Sequence, residues 1–247
     1  MRSITKLSLV YLIFFAGMIF VNYSVGSQVG TVANQDPALI QPAGYAFSIW
    51  GVIYLLLLVW IIKGFFTKGA KVELYKKLSF ILPLNFILNS LWIITFTQQM
   101  ILLSTIIIIL LLLSLVWIYQ NVHNDPTSNS WDYAPFSVYT GWVSLASIVN
   151  VFTYVERSDM FSFFGIGEVG WTLIAIIGIS LVAISILLFQ QDLLYPLVLI
   201  WTFIAIMLNV QQNTLHWTLI GCTVIVSAFI VYSLFKQIRR RKQRIFS

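Results

Sequence analysis

The stretch ILLSTIIIILLLLSLVWIY, from Ile101 to Tyr119, carries no charge over roughly 19 residues, and its reading decides the fold. At a rise of ~1.5 Å per residue a helix of that length covers about 28 Å, close to the ~30 Å hydrocarbon core of a bilayer. Seven further runs read the same way: Leu7–Gly26, Ala43–Ile62, Leu78–Phe96, Pro135–Tyr154, Val169–Phe189, Leu193–Val210 and Leu215–Phe235. None contains Lys, Arg, Asp or Glu, each of which costs several kcal/mol at the centre of a spanning helix. The expected fold is an all-α polytopic membrane protein with eight transmembrane helices.

The charges support this and set an orientation. Arg2 and Lys6 precede the first run; Lys63, Lys68, Lys71, Lys76 and Lys77 lie between the second and third; Lys236, Arg239, Arg240, Arg241, Lys242 and Arg244 follow the last. With both termini cytoplasmic, all basic residues except Arg157 fall inside, the positive-inside pattern, which requires an even number of crossings. The net charge of +6 therefore reflects topology and gives no reason to expect nucleic acid. The expected partners of the basic tail are anionic lipids, at ~1 kcal/mol per residue near the surface. The first run is long for a signal-peptide core and no small-x-small cleavage site follows, so it is read as a span. Cys222 is the sole cysteine, so no internal disulfide is expected. Turn chemistry punctuates the connectors, Asn34-Gln35-Asp36-Pro37 and Asn124-Asp125-Pro126 most clearly. Pro42, Pro135 and Pro196 sit near span starts, and Pro83 either kinks the third span or marks its beginning.

Intramembrane polar and aromatic residues are few and patterned. Asn85, Asn89 and Trp92 stand at i, i+4, i+7 and share one face of the third span; Tyr139, Trp142, Ala146 and Asn150 share a face of the fifth; Trp50 and Tyr54 pair in the second. Taken singly, each Asn is accounted for as interhelical glue at ~0.6 kcal/mol, and each Trp as packing or interfacial belt. Together, three spans each presenting Trp beside a polar face point to a shared aromatic-walled pocket, suited to a small, flat, largely apolar ligand.

The same residues carry a resemblance. Gln41-Pro42 through Trp50-Gly51-Val52-Ile53-Tyr54 resembles the Pro-Pro…Trp-x-x-x-Tyr segment of the TspO/MBR family, which includes the translocator protein and the tryptophan-rich sensory proteins. Asn89-Ser90-Leu91-Trp92 with Phe96 is similar to that family's Asn-x-x-Trp-x-x-x-Phe, and Tyr139 through Asn150 to its Tyr-x-x-Trp-Val-x-x-Ala-x-x-x-Asn. The order is correct over roughly Leu7 to Arg157. The family's first Pro is Gln41 here, the Pro before the fifth-helix Tyr is Val138, and three helices follow where a typical member ends. The division read from this is 1–157 as a TspO-like five-helix bundle, 158–236 as three additional helices and 237–247 as a basic cytoplasmic tail.

The resemblance implies a binding or sensory protein of the cell membrane whose ligand is a tetrapyrrole such as protoporphyrin IX. Trp50, Tyr54, Asn85, Asn89, Trp92, Tyr139, Trp142, Ala146 and Asn150 would line the site. It also allows a homodimer, a carrier of tetrapyrroles or lipids, and a light-dependent porphyrin-degrading enzyme with Trp50 and Trp142 as electron donors. Val151, Tyr154 and Arg157 fit the loose sterol pattern at the family's usual place. No cofactor is required by this reading. No metal site is expected either, because His123 and His216 fall in or beside loops and no ligand spacing occurs. Of Asp36, Glu73, Asp125, Asp132, Glu156, Asp159, Glu168 and Asp192 none is placed mid-span, which argues against an ion-coupled relay; Asp125 and Asp132 read as loop solubility or a helix cap.

Overall fold

The computed structural model describes residues 2–35, 37–158, 160 and 165–245, with side chains from Ile4 to Arg239. Asp36, Asp159, and the side chains of Arg2, Arg240, Arg241, Lys242 and Arg244 lie outside the described residues. All regular structure among those described is helical, as a chain in hydrocarbon requires when every backbone N–H and C=O must be paired within the protein.

The helices are α1 (Arg2–Val25), α2 (Ser27–Ala33), a 3₁₀ turn (Gly44–Ser48), α3 (Ile49–Phe66), α4 (Lys71–Lys77), α5 (Ile81–Thr97), α6 (Ile101–His123), α7 (Ser130–Arg157), α8 (Glu168–Gln190), α9 (Leu194–Met207) and α10 (Asn213–Ile245). Among the described residues, six stretches are long and apolar enough to cross a membrane. A seventh arises if α4 and α5, bent by 45°, count as one span. The chain is a polytopic helical membrane protein. The seventh apolar run is the exception in length: α9 has 14 residues, about 21 Å of helix.

Three boundaries differ from the sequence reading. The second helix starts at Ile49, after a 3₁₀ turn, so Pro42 lies in an irregular segment ahead of it. α7 starts at Ser130, five residues before Pro135, because Asn129 and Asp132 form a capping box that satisfies the first amides of the helix. The bend between α4 and α5 precedes Pro83, which sits in the first turn of α5, where its missing N–H breaks no bond.

By its contacts the chain falls into two units, Met1–Ala38 with Phe47–Met160, and Leu39–Ala46 with Phe161–Ser247. In the first, α7 packs along α6 and α3, and α5 along α6 and α1. Serine and threonine hydroxyls on α5 and α7, among them Thr95, Thr140, Ser144, Ser147 and Thr153, donate to the carbonyl four residues back, so they cost nothing in an apolar setting. In the second unit α8, α9 and α10 pack on one another, with Leu187, Val226 and Ile230 at the centre and Ile184, Leu193, Ile200 and Phe229 around them.

Two corners fix the end of the first unit that carries Lys63 and Lys71. Trp60 stacks on Tyr75 with ring centroids 4.1 Å apart, Tyr75 donates its hydroxyl to the Trp60 carbonyl at 2.9 Å, and Tyr11 donates to the Tyr75 carbonyl. Beside them, the fully buried Asp132 carboxylate accepts from Lys63 at 2.7 Å and from Lys71, as well as from the Asn129 amide at 2.9 Å. A buried charge is tolerated only when paired in this way.

Gly64 lies inside the aromatic corner, where an added Cβ would stand 2.6 Å from both Ser8 Oγ and the Tyr75 ring. Gly64→Ala is expected to destabilise by about 1–3 kcal/mol through overpacking. Gly51→Ala, with nothing within 4 Å of the new Cβ, is expected to raise stability by roughly 0.5–1 kcal/mol. Thermal melts of the two variants in one detergent check the opposite signs.

Candidate functional site: an aromatic cluster over a carboxamide network

α3, α5 and α7 each send indole or phenol rings to one place in the first unit. Trp50 is the hub. Its ring centroid lies 5.5 Å from Tyr54 in a stacked pair, 6.2 Å from Trp92, 5.6 Å from Tyr139 and 6.2 Å from Trp142, the last two edge-on. Phe47 meets Trp142 edge-on at 5.7 Å, and Phe96 stacks on Trp92 at 5.8 Å. Such contacts are worth about 0.5–1.5 kcal/mol each beyond the area they bury. Tyr139, Trp142 and Trp92 are buried at 0%, 2% and 4% exposure, whereas Trp50 and Tyr54 are half-buried, so the cluster has one accessible flank, on α3.

Beneath the rings runs a polar layer. Asn89 accepts from Asn22 Nδ2 of α1 at 2.8 Å and donates to the Tyr139 hydroxyl of α7 at 2.8 Å, so one carboxamide joins three helices. Asn150 accepts from Trp92 Nε1 at 2.9 Å and donates to Thr105 Oγ1 at 2.7 Å and Ser104 Oγ at 3.1 Å on α6. Each acceptor or donor spent on the network also fixes the ring attached to it. Tyr139 is held by Asn89, and Trp92 by Asn150.

The sequence-selected residues are thus sorted. Trp50, Tyr54, Trp92, Tyr139 and Trp142 meet ring to ring, and Asn89 and Asn150 reach them through one hydrogen bond each. Ala146 is half-buried one turn beyond Trp142. Asn85 shares their face of α5 but turns to α6, where it donates to Ser114 Oγ at 2.8 Å. Of the candidate lining residues, Trp142 through Nε1 and Asn85 through Oδ1 are buried without a hydrogen-bond partner among the described residues. Of the sterol-pattern residues, Val151 and Tyr154 are half-buried, and the Arg157 guanidinium donates to the Val32 carbonyl of α2 at 3.2 Å. His123 lies between the rings of Tyr119 and Tyr133, and no group of three or more His, Cys, Asp or Glu side chains gathers as a metal site among the described residues.

Asn22, Ser104, Thr105, Ser114 and Phe47 take part without having been singled out in the sequence. Asn22 carried a usable signal, as the one carboxamide in an otherwise apolar first run. The α6 hydroxyls carried none, since Ser and Thr are common in spanning helices.

A family model described as TSPO-like protein matches residues 7–232, which takes in α8, α9 and most of α10 together with the motif-bearing helices. No curated protein and no solved structure matches the chain.

Asn150→Leu removes the acceptor of the Trp92 indole and leaves Ser104 and Thr105 without their amide donor, a loss of about 1–3 kcal/mol. Asn89→Leu is expected to cost a similar amount and to loosen α1 as well as α7. Hydrogen exchange on each variant distinguishes them, with Met18–Asn22 amides exchanging faster only in the Asn89 variant.

Proposed function

Because this chain belongs to the family of TSPO-like proteins, we propose that it is a ligand-binding sensory protein of the cell membrane. Its ligand is a flat apolar molecule of the porphyrin class, protoporphyrin IX being the first candidate. The observation that carries the reading is Trp50, one half-buried indole in contact with four other rings from three helices. A planar π-system docks against the Trp50–Tyr54 flank by stacking, and the Trp142 indole N–H, without an acceptor among the described residues, is a donor for a carbonyl or carboxylate on the ligand. Because the rings are pinned by Asn89 and Asn150, a ligand that displaces them strains α1, α6 and α7 together, which is how occupancy becomes a change a partner can sense.

A second reading has its own support. Trp92, Trp50, Tyr139 and Trp142 form a continuous set of oxidisable rings at centroid separations of 5.6–6.2 Å around Trp50, short enough to pass an electron from ring to ring. That arrangement suits light-dependent porphyrin degradation.

The proposed topology has eight crossings and both termini in the cytoplasm, with α9 as a short crossing helix and the basic tail against anionic lipid. Lys63, Lys68, Lys71, Lys76 and Lys77 then share a side with Lys236 and Arg239, opposite Arg157.

Purified protein in nanodiscs, titrated with protoporphyrin IX in the dark, is expected to show quenched Trp emission and saturable binding. Trp50→Phe should weaken that binding about tenfold, since a change of ~1.4 kcal/mol is at the upper end of one lost ring contact. Unchanged affinity in Trp50→Phe and Trp142→Phe would end the proposal, while bleaching of the porphyrin in light that both variants abolish favours the enzyme. For topology, on a Cys222→Ser background, an impermeant maleimide added to intact cells should label Glu156→Cys and spare Lys68→Cys.

A further inference from the structure

The short segment Leu39–Ala46 parts from its neighbours in sequence. Its neighbours on both sides in sequence belong to the first unit, yet its contacts place it with α8, α9 and α10. It is fastened at alternate positions. The Leu39 amide donates to Glu168 Oε1 at 2.8 Å, Asn209 Nδ2 donates to the Gln41 carbonyl at 3.1 Å, and the Ala43 amide donates to the Ala205 carbonyl at 2.9 Å. Tyr45 meets Trp201 edge-on at 5.1 Å, and the Trp201 indole points its N–H at the Ala46 carbonyl, 3.4 Å away. Ile40 and Ala46 are fully buried, and Gln41 nearly so.

The Ala205 contact completes the C-terminal end of α9. The last carbonyls of a helix have no partner within it. At the end of α9, Leu208 donates back to Ile204, and Asn209 and Val210 both to Ile206, so the Ala205 carbonyl is passed over by its own helix. Ala43 takes it. The segment therefore supplies the hydrogen bond that a further turn of α9 would have supplied, and Pro42 beside it has no amide to satisfy.

The segment is continuous in sequence with α3. The 3₁₀ turn Gly44–Ser48 crosses from one unit to the other between Ala46 and Phe47. Phe47 already touches Trp142, α3 begins at Ile49, and Trp50 is the next residue. Three residues, Phe47, Ser48 and Ile49, separate the last fastened carbonyl from the hub residue.

We propose that the C-terminal helices are a clasp for Leu39–Ala46, with Trp201 and Asn209 as positioning residues, and that the clasp sets the pose of the Trp50 end of α3 and so the rate at which ligand enters and leaves. The second half rests on the ligand reading above; the first does not. A clasp differs from a structural prop in its kinetic signature, because releasing it speeds entry and exit together and leaves the equilibrium constant nearly where it was.

The test uses the full chain in nanodiscs. Asn209→Leu removes the donor to Gln41, Trp201→Phe removes the indole N–H but keeps a ring for Tyr45, and Asn209→Gln retains an amide as the control. In the double variant with Asn209→Leu and Trp201→Phe, amide exchange across Leu39–Ala46 should accelerate roughly tenfold, the loss expected of one to two modest hydrogen bonds. Exchange at Trp50–Tyr54 should rise with it, while Tyr139–Asn150 stays unchanged as proof of a folded first unit. Protoporphyrin IX association and dissociation rates should both rise by about that factor, with affinity held within about threefold. Unchanged exchange at Leu39–Ala46 overturns the clasp. Faster exchange there with Trp50–Tyr54 unmoved, or with both porphyrin rates unmoved, overturns its control of the site. If the unaltered protein takes up no porphyrin, the ligand reading fails instead, and the two exchange measurements still decide the clasp.

Discussion

A carboxamide inside hydrocarbon has no water to fall back on, and the first unit is organised around that fact. Asn89 and Asn150 each need several partners, and the partners available are on other helices. Satisfying Asn89 brings α1 and α7 to α5; satisfying Asn150 brings α6 and α7 to α5 through Trp92. Apolar packing in lipid is unspecific, because a leucine is as well solvated by acyl chains as by another leucine. The amides therefore supply the directional element that selects one arrangement of these helices from the many that pack comparably. The rings inherit their positions from the amides, which is why an aromatic cluster with fixed geometry exists at this depth.

What the sequence disclosed follows from the physics of each signal. Spanning helices announce themselves by length and lack of charge, so all eight apolar runs correspond to helices. Helix faces were equally plain, since spacing of three and four residues puts Asn89 with Trp92 and Tyr139 with Trp142. Short helices were not legible: α2 and α4 lie in stretches read as connectors, because seven residues carry too few periods to show a face. The capping role of Asp132 was readable from Asn129-x-x-Asp, but its two lysine partners lie 61 and 69 residues upstream in sequence, and distance along the chain conceals such pairings. Asn85 parts from Asn89 and Trp92 for a related reason, its amide bonding to Ser114 of α6. A shared helical face names candidates for contact, and a face wide enough to meet two neighbours divides them.

The attachment of Leu39–Ala46 to the C-terminal helices was beyond reach of any local pattern. Each of its fastenings joins residues more than a hundred positions apart, and three of them use backbone carbonyls, which leave no trace in residue type. Gln41 in place of the family's first Pro was the only outward sign that this stretch is held in its own way. The family match runs through residue 232 and so includes α8, α9 and most of α10.

That attachment also has a history during synthesis. Ala43 leaves the ribosome some 160 residues before the carbonyl it will bind, an interval of very roughly 8–30 s at ~5–20 residues per second. Throughout that interval α5, α6 and α7 are completed while the run ahead of Trp50 still lacks its moorings. A nascent chain thus passes through a stage in which its indole and phenol rings can gather before the bond from Ala43 to Ala205 is made.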